Sequence, residues 1–235
     1  QYDGTSWTQA TVLNTGKDGR RAAGTQTAGI VAGGFSMSET ESWNGSSWTV
    51  VNAMPTNKFA GGSCGTSTAM LYAGGLPATA AVEEWNGTSW SEGTSVNTAK
   101  GYQGSFGTST ASIQAGGNYP VYITAVEEWN GTSWTEITDL SVGISYEPAG
   151  FGNTTDGIIA GGTGPVITAT TEKWNGTSWT EVGDLGTARR LLGGSTGATG
   201  GTTAGLAFFG STPAITAVSE AWDSPNYVAK TVTVS

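Results

Sequence analysis

Trp85-Asn86-Gly87-Thr88-Ser89-Trp90 is one copy of a phrase that recurs along the whole chain. Trp43 to Trp48, Trp129 to Trp134 and Trp174 to Trp179 repeat it almost letter for letter. A copy with tyrosine in first place opens the chain at Tyr2 to Trp7, and a degenerate one spans Trp222 to Tyr227. Successive copies start 41 to 48 residues apart, and all ten tryptophans of the protein lie inside them. Working outward, a short apolar run precedes each copy and ends in Ala32-Gly33-Gly34, Ala73-Gly74-Gly75, Ala115-Gly116-Gly117 or Ala160-Gly161-Gly162. The fifth run is altered to Ala207-Phe208-Phe209-Gly210. Polar turns such as Gly65-Thr66-Ser67-Thr68 lie further upstream, so one unit reads as four short strands. In the second unit these are expected at 60–64, 69–73, 81–85 and 89–92. Asn-Gly between the last two is a hairpin signal, because both residues tolerate positive φ. No unit holds a capped stretch of helical periodicity, which makes the class all-β.

Four-stranded units of this length repeated around an axis describe the blades of a β-propeller. Five steps give five blades, at about 14–52, 56–94, 98–138, 143–183 and 187–225. The first strand of each unit carries small residues, among them Ala22-Ala23-Gly24, Gly61-Gly62-Ser63-Cys64, Gly104-Ser105, Ala149-Gly150 and Gly193-Gly194-Ser195. A tight five-bladed ring needs such residues nearest its axis. Cys64 then reads as a small buried apolar residue. The expected fold is one propeller over residues 1–225, with four-stranded antiparallel blades and a ring closed by the N-terminal strand 1–12. Residues 226–235 compete for the same place, since 227–234 alternate as a strand. They are expected as an extra strand or tail. The repeat resembles the kelch and galactose-oxidase type of propeller unit, and its five-fold count is similar to tachylectin-type lectins. Its wording also resembles repetitive tail or fibre proteins of bacteriophages. These resemblances imply a recognition or structural protein of an extracellular or virion surface.

Composition removes whole classes of function. Lys+Arg number 9 against Asp+Glu 18, a net charge of −9, which argues against phosphate-binding surfaces for nucleic acid. No apolar run approaches a membrane span of about 20 residues, so no membrane insertion is expected. One cysteine and no histidine remove Cys-His and Ser-His nucleophile pairs and most transition-metal sites. No metal or cofactor is expected, and the protein is read as no enzyme. The carboxylate pairs Glu83-Glu84 and Glu127-Glu128 recur in phase, with Glu41 and Glu172 in related places. Neighbouring strand residues point to opposite faces, so these read as polar positions of an outer strand rather than acid–base pairs.

Binding remains. Tryptophan faces stack on sugar rings, and the candidates are Trp7, Trp48, Trp90, Trp134 and Trp179, at the start of each fourth strand. Packing between blades would also place tryptophans there. The variable connections from second to third and from fourth to first strand share one face. They carry Tyr119, Tyr122 and most of the basic residues, of which Arg20, Lys58, Lys100 and Arg189 are candidate contacts for hydroxyl-rich or anionic ligands. Asn44, Asn86, Asn130, Asn153 and Asn175 begin Asn-x-Ser/Thr sequons and are candidate glycosylation sites, though turn chemistry alone accounts for four of them. The expected function is multivalent glycan binding, with cell-surface glycans or other virion or surface proteins as partners. The alternatives are a structural subunit that forms homo-oligomers or filaments through 226–235, and a kelch-like protein-interaction scaffold.

Overall fold

The computed structural model describes residue 1 and residues 6–118, 121–196, 201–212, 214–223 and 230–232. Its twenty strands form five antiparallel sheets of four, the arrangement of a five-bladed propeller. Blade 1 runs β1 (Arg21–Gly24), β2 (Gly29–Ala32), β3 (Thr40–Trp43) and β4 (Trp48–Val51). Blade 2 follows with β5 (Gly62–Thr66), β6 (Ala69–Ala73), β7 (Val82–Trp85) and β8 (Trp90–Glu92). Blade 3 has β9 (Gly104–Gly107), β10 (Ser112–Ala115), β11 (Val126–Trp129) and β12 (Trp134–Ile137). Blade 4 has β13 (Ala149–Asn153), β14 (Asp156–Ala160), β15 (Thr171–Trp174) and β16 (Trp179–Glu181). Blade 5 has β17 (Gly193–Thr196), β18 (Ala204–Phe208), β19 (Ser219–Asp223) and β20 (Lys230–Val232).

Each Asn-Gly turn is built as expected. Asn86 Oδ1 accepts the amides of Thr88 and Ser89 at 2.9 Å, and Gly87 sits at φ 93°. The turn brings Trp85 directly opposite Trp90, with ring centroids 5.5 Å apart. Blades 1, 3 and 4 repeat the pair at 5.2, 5.1 and 5.2 Å. These rings bridge neighbouring blades: Trp85 and Trp90 share an apolar cluster with Ile30 of blade 1, and Trp129 and Trp134 share one with Leu71 of blade 2.

Small residues line the axis because the inner strands touch backbone to backbone. A Cβ on Gly150 would lie 2.4 Å from the Ser105 carbonyl oxygen, and one on Gly194 2.5 Å from that of Gly150. Such distances exclude any side chain. Strand β5 begins at Gly62, two residues later than the sequence reading. Ala60 turns into the left-handed region at φ 55°, and its amide donates to the Gly19 carbonyl of blade 1 instead of continuing the ladder. Tyr102 donates likewise to Ala60, and Glu147 to Tyr102, so the ring is stitched blade to blade around its mouth.

The expectation that the N-terminal segment closes the ring is corrected. Lys230–Val232 pairs with Ala221, Glu220 and Ser219, taking the place that Thr49, Val50 and Val51 hold in blade 1. Two physical reasons account for this. Val232 and Thr231 are β-branched and favour a strand more than Gln9 and Ala10 do. Blade 5 also offers Phe208 and Phe209 where the others have Ala-Gly, and the Trp7 ring packs on both, at 5.5 and 5.1 Å. The N-terminal segment rejoins the repeat just after that. Thr11 accepts the Trp48 indole N–H at 3.2 Å and donates its hydroxyl to Ser46, as Thr94 does to Thr132.

Candidate functional site

Of the basic side chains expected on the variable rim, four are held inside. Lys58, Lys100 and Arg189 are buried, and each meets the glutamate of its own third strand: Glu83 at 3.7 Å, Glu127 at 3.1 Å and Glu220 at 2.7 Å. Arg20 plays this part in blade 1, binding Glu41 at 2.8 Å and Glu39 at 3.0 Å. The reading of these cations as rim contacts for a ligand is therefore corrected, as is that of the glutamates as polar positions of an outer strand. Glu41, Glu83, Glu127, Glu172 and Glu220 are all buried, and the second members of the pairs, Glu84 and Glu128, are half-buried.

Each buried glutamate also holds the chain that enters its blade. Glu127 accepts the amides of Asn97 at 2.7 Å and Thr98 at 3.2 Å, and Glu41 those of Asn14 and Thr15. Burial would raise the Glu41 carboxyl, but the bonds from Asn14, Arg20 and Thr15 outweigh it and hold the group below the usual carboxylate range. Burial pulls Lys58 down to about 8, against the attraction of Glu83, and lowers Lys100 against Glu127. The entry of blade 4 lacks the cation, and Glu172 there accepts the Ser141 amide at 3.0 Å.

The tryptophan candidates divide. Trp90 and Trp134 are buried, whereas Trp7, Trp48 and Trp179 are half-buried. The indole N–H groups of Trp48, Trp90, Trp134 and Trp179 hold neighbouring segments, Trp134 donating to Thr94 at 2.8 Å and Trp179 to Thr138 at 3.0 Å. Tyr122 is half-buried in its loop, and Tyr119 lies outside the described residues. Asn44, Asn86, Asn130 and Asn175 are exposed turn residues and Asn153 is half-buried. In each, the side-chain oxygen is engaged by its own turn.

Two features were not found from sequence. One is a cavity of about 710 Å³ along the axis, whose walls include Arg21, Gln103, Glu147 and Phe208. Arg21 stands where the other blades have Gly or Ala. It donates to the Gly61 carbonyl of blade 2 and pairs with Glu147 of blade 4 at 2.6 Å, a bar across the mouth. Burial would lower the Arg21 guanidinium, but the pairing with Glu147 outweighs it and raises it. The other is an aromatic set beside the inner strands on the variable-loop face. Phe35 packs on Phe59 at 5.2 Å, Tyr102 stacks on Tyr146 at 4.8 Å, and Trp7 lies on Phe209. Phe35 is 57% exposed and Phe209 39%. The signal available in sequence was positional: Phe35 directly follows a Gly-Gly, Phe59, Tyr102 and Tyr146 precede a first strand, and Phe209 replaces a glycine. Among the described residues no group of His, Cys, Asp or Glu has the makings of a metal site. No protein-family model and no curated protein matches the chain.

Proposed function

We propose that the protein is a non-catalytic recognition module of an extracellular or virion surface that binds saccharides on its variable-loop face. The observation that carries this is the collection of Phe35, Phe59, Tyr102, Tyr146, Trp7 and Phe209 on one side of the disc. Flat apolar rings with a few convergent polar groups suit the alternating CH and OH faces of a sugar. The opposite side presents short Asn-Gly turns whose polar groups are engaged within the turn. The resemblance of the five-fold repeat to tachylectin-type lectins supports the same reading. A glycan array with the folded chain tests it. Saturable binding to a defined sugar class, competed by the free sugar, is the expected result. A blank array with folded protein overturns it.

A second reading rests on the blade 5 edge, where Lys230–Val232 takes a place that the N-terminal copy also matches in sequence. A strand with two claimants suits subunits that exchange ends. Concentration-dependent oligomers lost on deleting residues 226–235 would favour assembly over ligand binding.

A further inference from the structure

Among the described residues six lysines and arginines pair with carboxylates: Arg20, Arg21, Lys58, Lys100, Lys173 and Arg189. Arg190 is different. No carboxylate of the described residues lies within ion-pair range of it, its buried Nε has no hydrogen-bond partner, and its guanidinium carbon lies 4.8 Å from the centre of the Tyr146 ring. Tyr146 in turn stacks on Tyr102, with the planes 24° apart. Arg190, Tyr146 and Tyr102 thus form one ladder of flat groups, all half-buried, beside the exposed Leu191.

The ladder exists because blade 4 carries an extra residue. Ser145 bridges to Thr163 as Phe59 does to Leu76 and Arg190 to Ser211. One residue further on, Ala60 and Leu191 take the left-handed conformation of the blade-to-blade stitch. In blade 4 that role is split, Glu147 donating its amide to Tyr102 and the interposed Tyr146, at φ 57°, accepting the Leu191 amide. A bulky residue in that region is strained, and the strain here sets a tyrosine ring between Tyr102 and Arg190. The Arg190 guanidinium lies over the Tyr146 ring, and its fork matches a carboxylate at two points.

We infer that Arg190, Tyr146 and Tyr102 form a subsite for the carboxylate-bearing unit of an acidic saccharide. The guanidinium takes the carboxylate and the tyrosines face the sugar ring. This deepens the saccharide reading above and rests on it. An arginine with no carboxylate partner among the described residues, on a protein of net charge −9, also gives the selectivity a sign, because the rest of the surface repels anions.

The test compares methyl β-D-glucuronide with methyl β-D-glucoside, sugars that differ in the carboxylate at C6, by calorimetric titration of the intact chain. The glucuronide is expected to bind about tenfold or more tightly, the usual scale of a charged hydrogen-bonded contact. Arg190→Gln is expected to erase that difference, and Tyr146→Leu to weaken the glucuronide, with circular dichroism confirming the fold of both variants. Equal binding of the two sugars overturns the subsite and leaves the saccharide reading standing. So does a preference that survives Arg190→Gln. Failure of both sugars to bind also overturns the subsite, and the glycan array then decides the broader reading separately.

Discussion

Four blade junctions and the fifth are built from the same parts with different results. From blade 1 to blade 5, the second glycine of each Gly-Gly donates its amide to the next blade: Gly34 to Lys58, Gly75 to Lys100, Gly117 to Ile144 and Gly162 to Arg189. The first glycine fits because nothing else does. A Cβ on Gly33, Gly74, Gly116 or Gly161 would stand 2.4 to 2.7 Å from the same four carbonyl oxygens. Blade 5 has Phe209 in that place, at φ 58°. A side chain there forbids the close approach, and Gly210 makes no such bond among the described residues. The inner face loosens with it. Phe106 and Phe151 are buried against Trp174 and Trp222 and their strand partners Ile113 and Ile158 are buried too, whereas at the matching positions of blade 5 Ser195 is exposed and Leu206 half-buried. The first glycine therefore decides whether a junction closes like its neighbours, and the fifth is a seam covered by Trp7.

The closed junctions break most severely at their ion pairs. Lys100 accepts the Gly75 amide with its carbonyl and pairs its side chain with Glu127, so Lys100→Met leaves a buried carboxylate without its cation at a junction. A loss of about 3–5 kcal/mol in urea unfolding is expected. Next is Gly161→Ala, which forces a Cβ 2.7 Å from the Arg189 carbonyl at φ 71° and should cost about 1–3 kcal/mol. The matching change at the seam, Phe209→Ala, touches no such carbonyl and removes a ring contact with Trp7, for about 1 kcal/mol. If the two substitutions cost the same, the junctions do not differ as described.

A smaller effect follows from Lys58. Its folded value near 8 lies below its ordinary 10.5, so between these values the unfolded chain binds more protons than the folded one. Stability then rises with pH across that window. A melting temperature that climbs from pH 8 to about 9.5, with a shallower slope in Lys58→Arg, checks this. The smallest effect concerns Cys64. Burial pushes its thiol up to about 12, and it should stay inert to thiol reagents at pH 8 until the protein unfolds.

The repeat made the architecture readable, because a hairpin turn, a Gly-Gly and a tryptophan pair each impose local geometry that recurs in phase. The functional side was less readable. Lys58 and Glu83 lie 25 residues apart in sequence and meet only when the entry segment folds over the third strand, so the cations looked like rim residues. The ring closure was misread because two segments fit one edge. The deciding contact, Trp7 on Phe208 and Phe209, joins opposite ends of the chain. The Tyr102–Tyr146–Arg190 ladder spans three blades and has no periodic signal, since Tyr146 is the residue that breaks the period.

Hydrogen exchange followed by mass spectrometry tests the closed junctions against the seam most directly. Slow exchange is expected at Gly75, Gly117 and Gly162 and in the stitch amides of Ala60, Tyr102 and Glu147. Peptides covering Gly19 and Gly210, on the two sides of the seam, should exchange first. Equal protection at all five junctions, or a seam slower than the rest, would contradict that order.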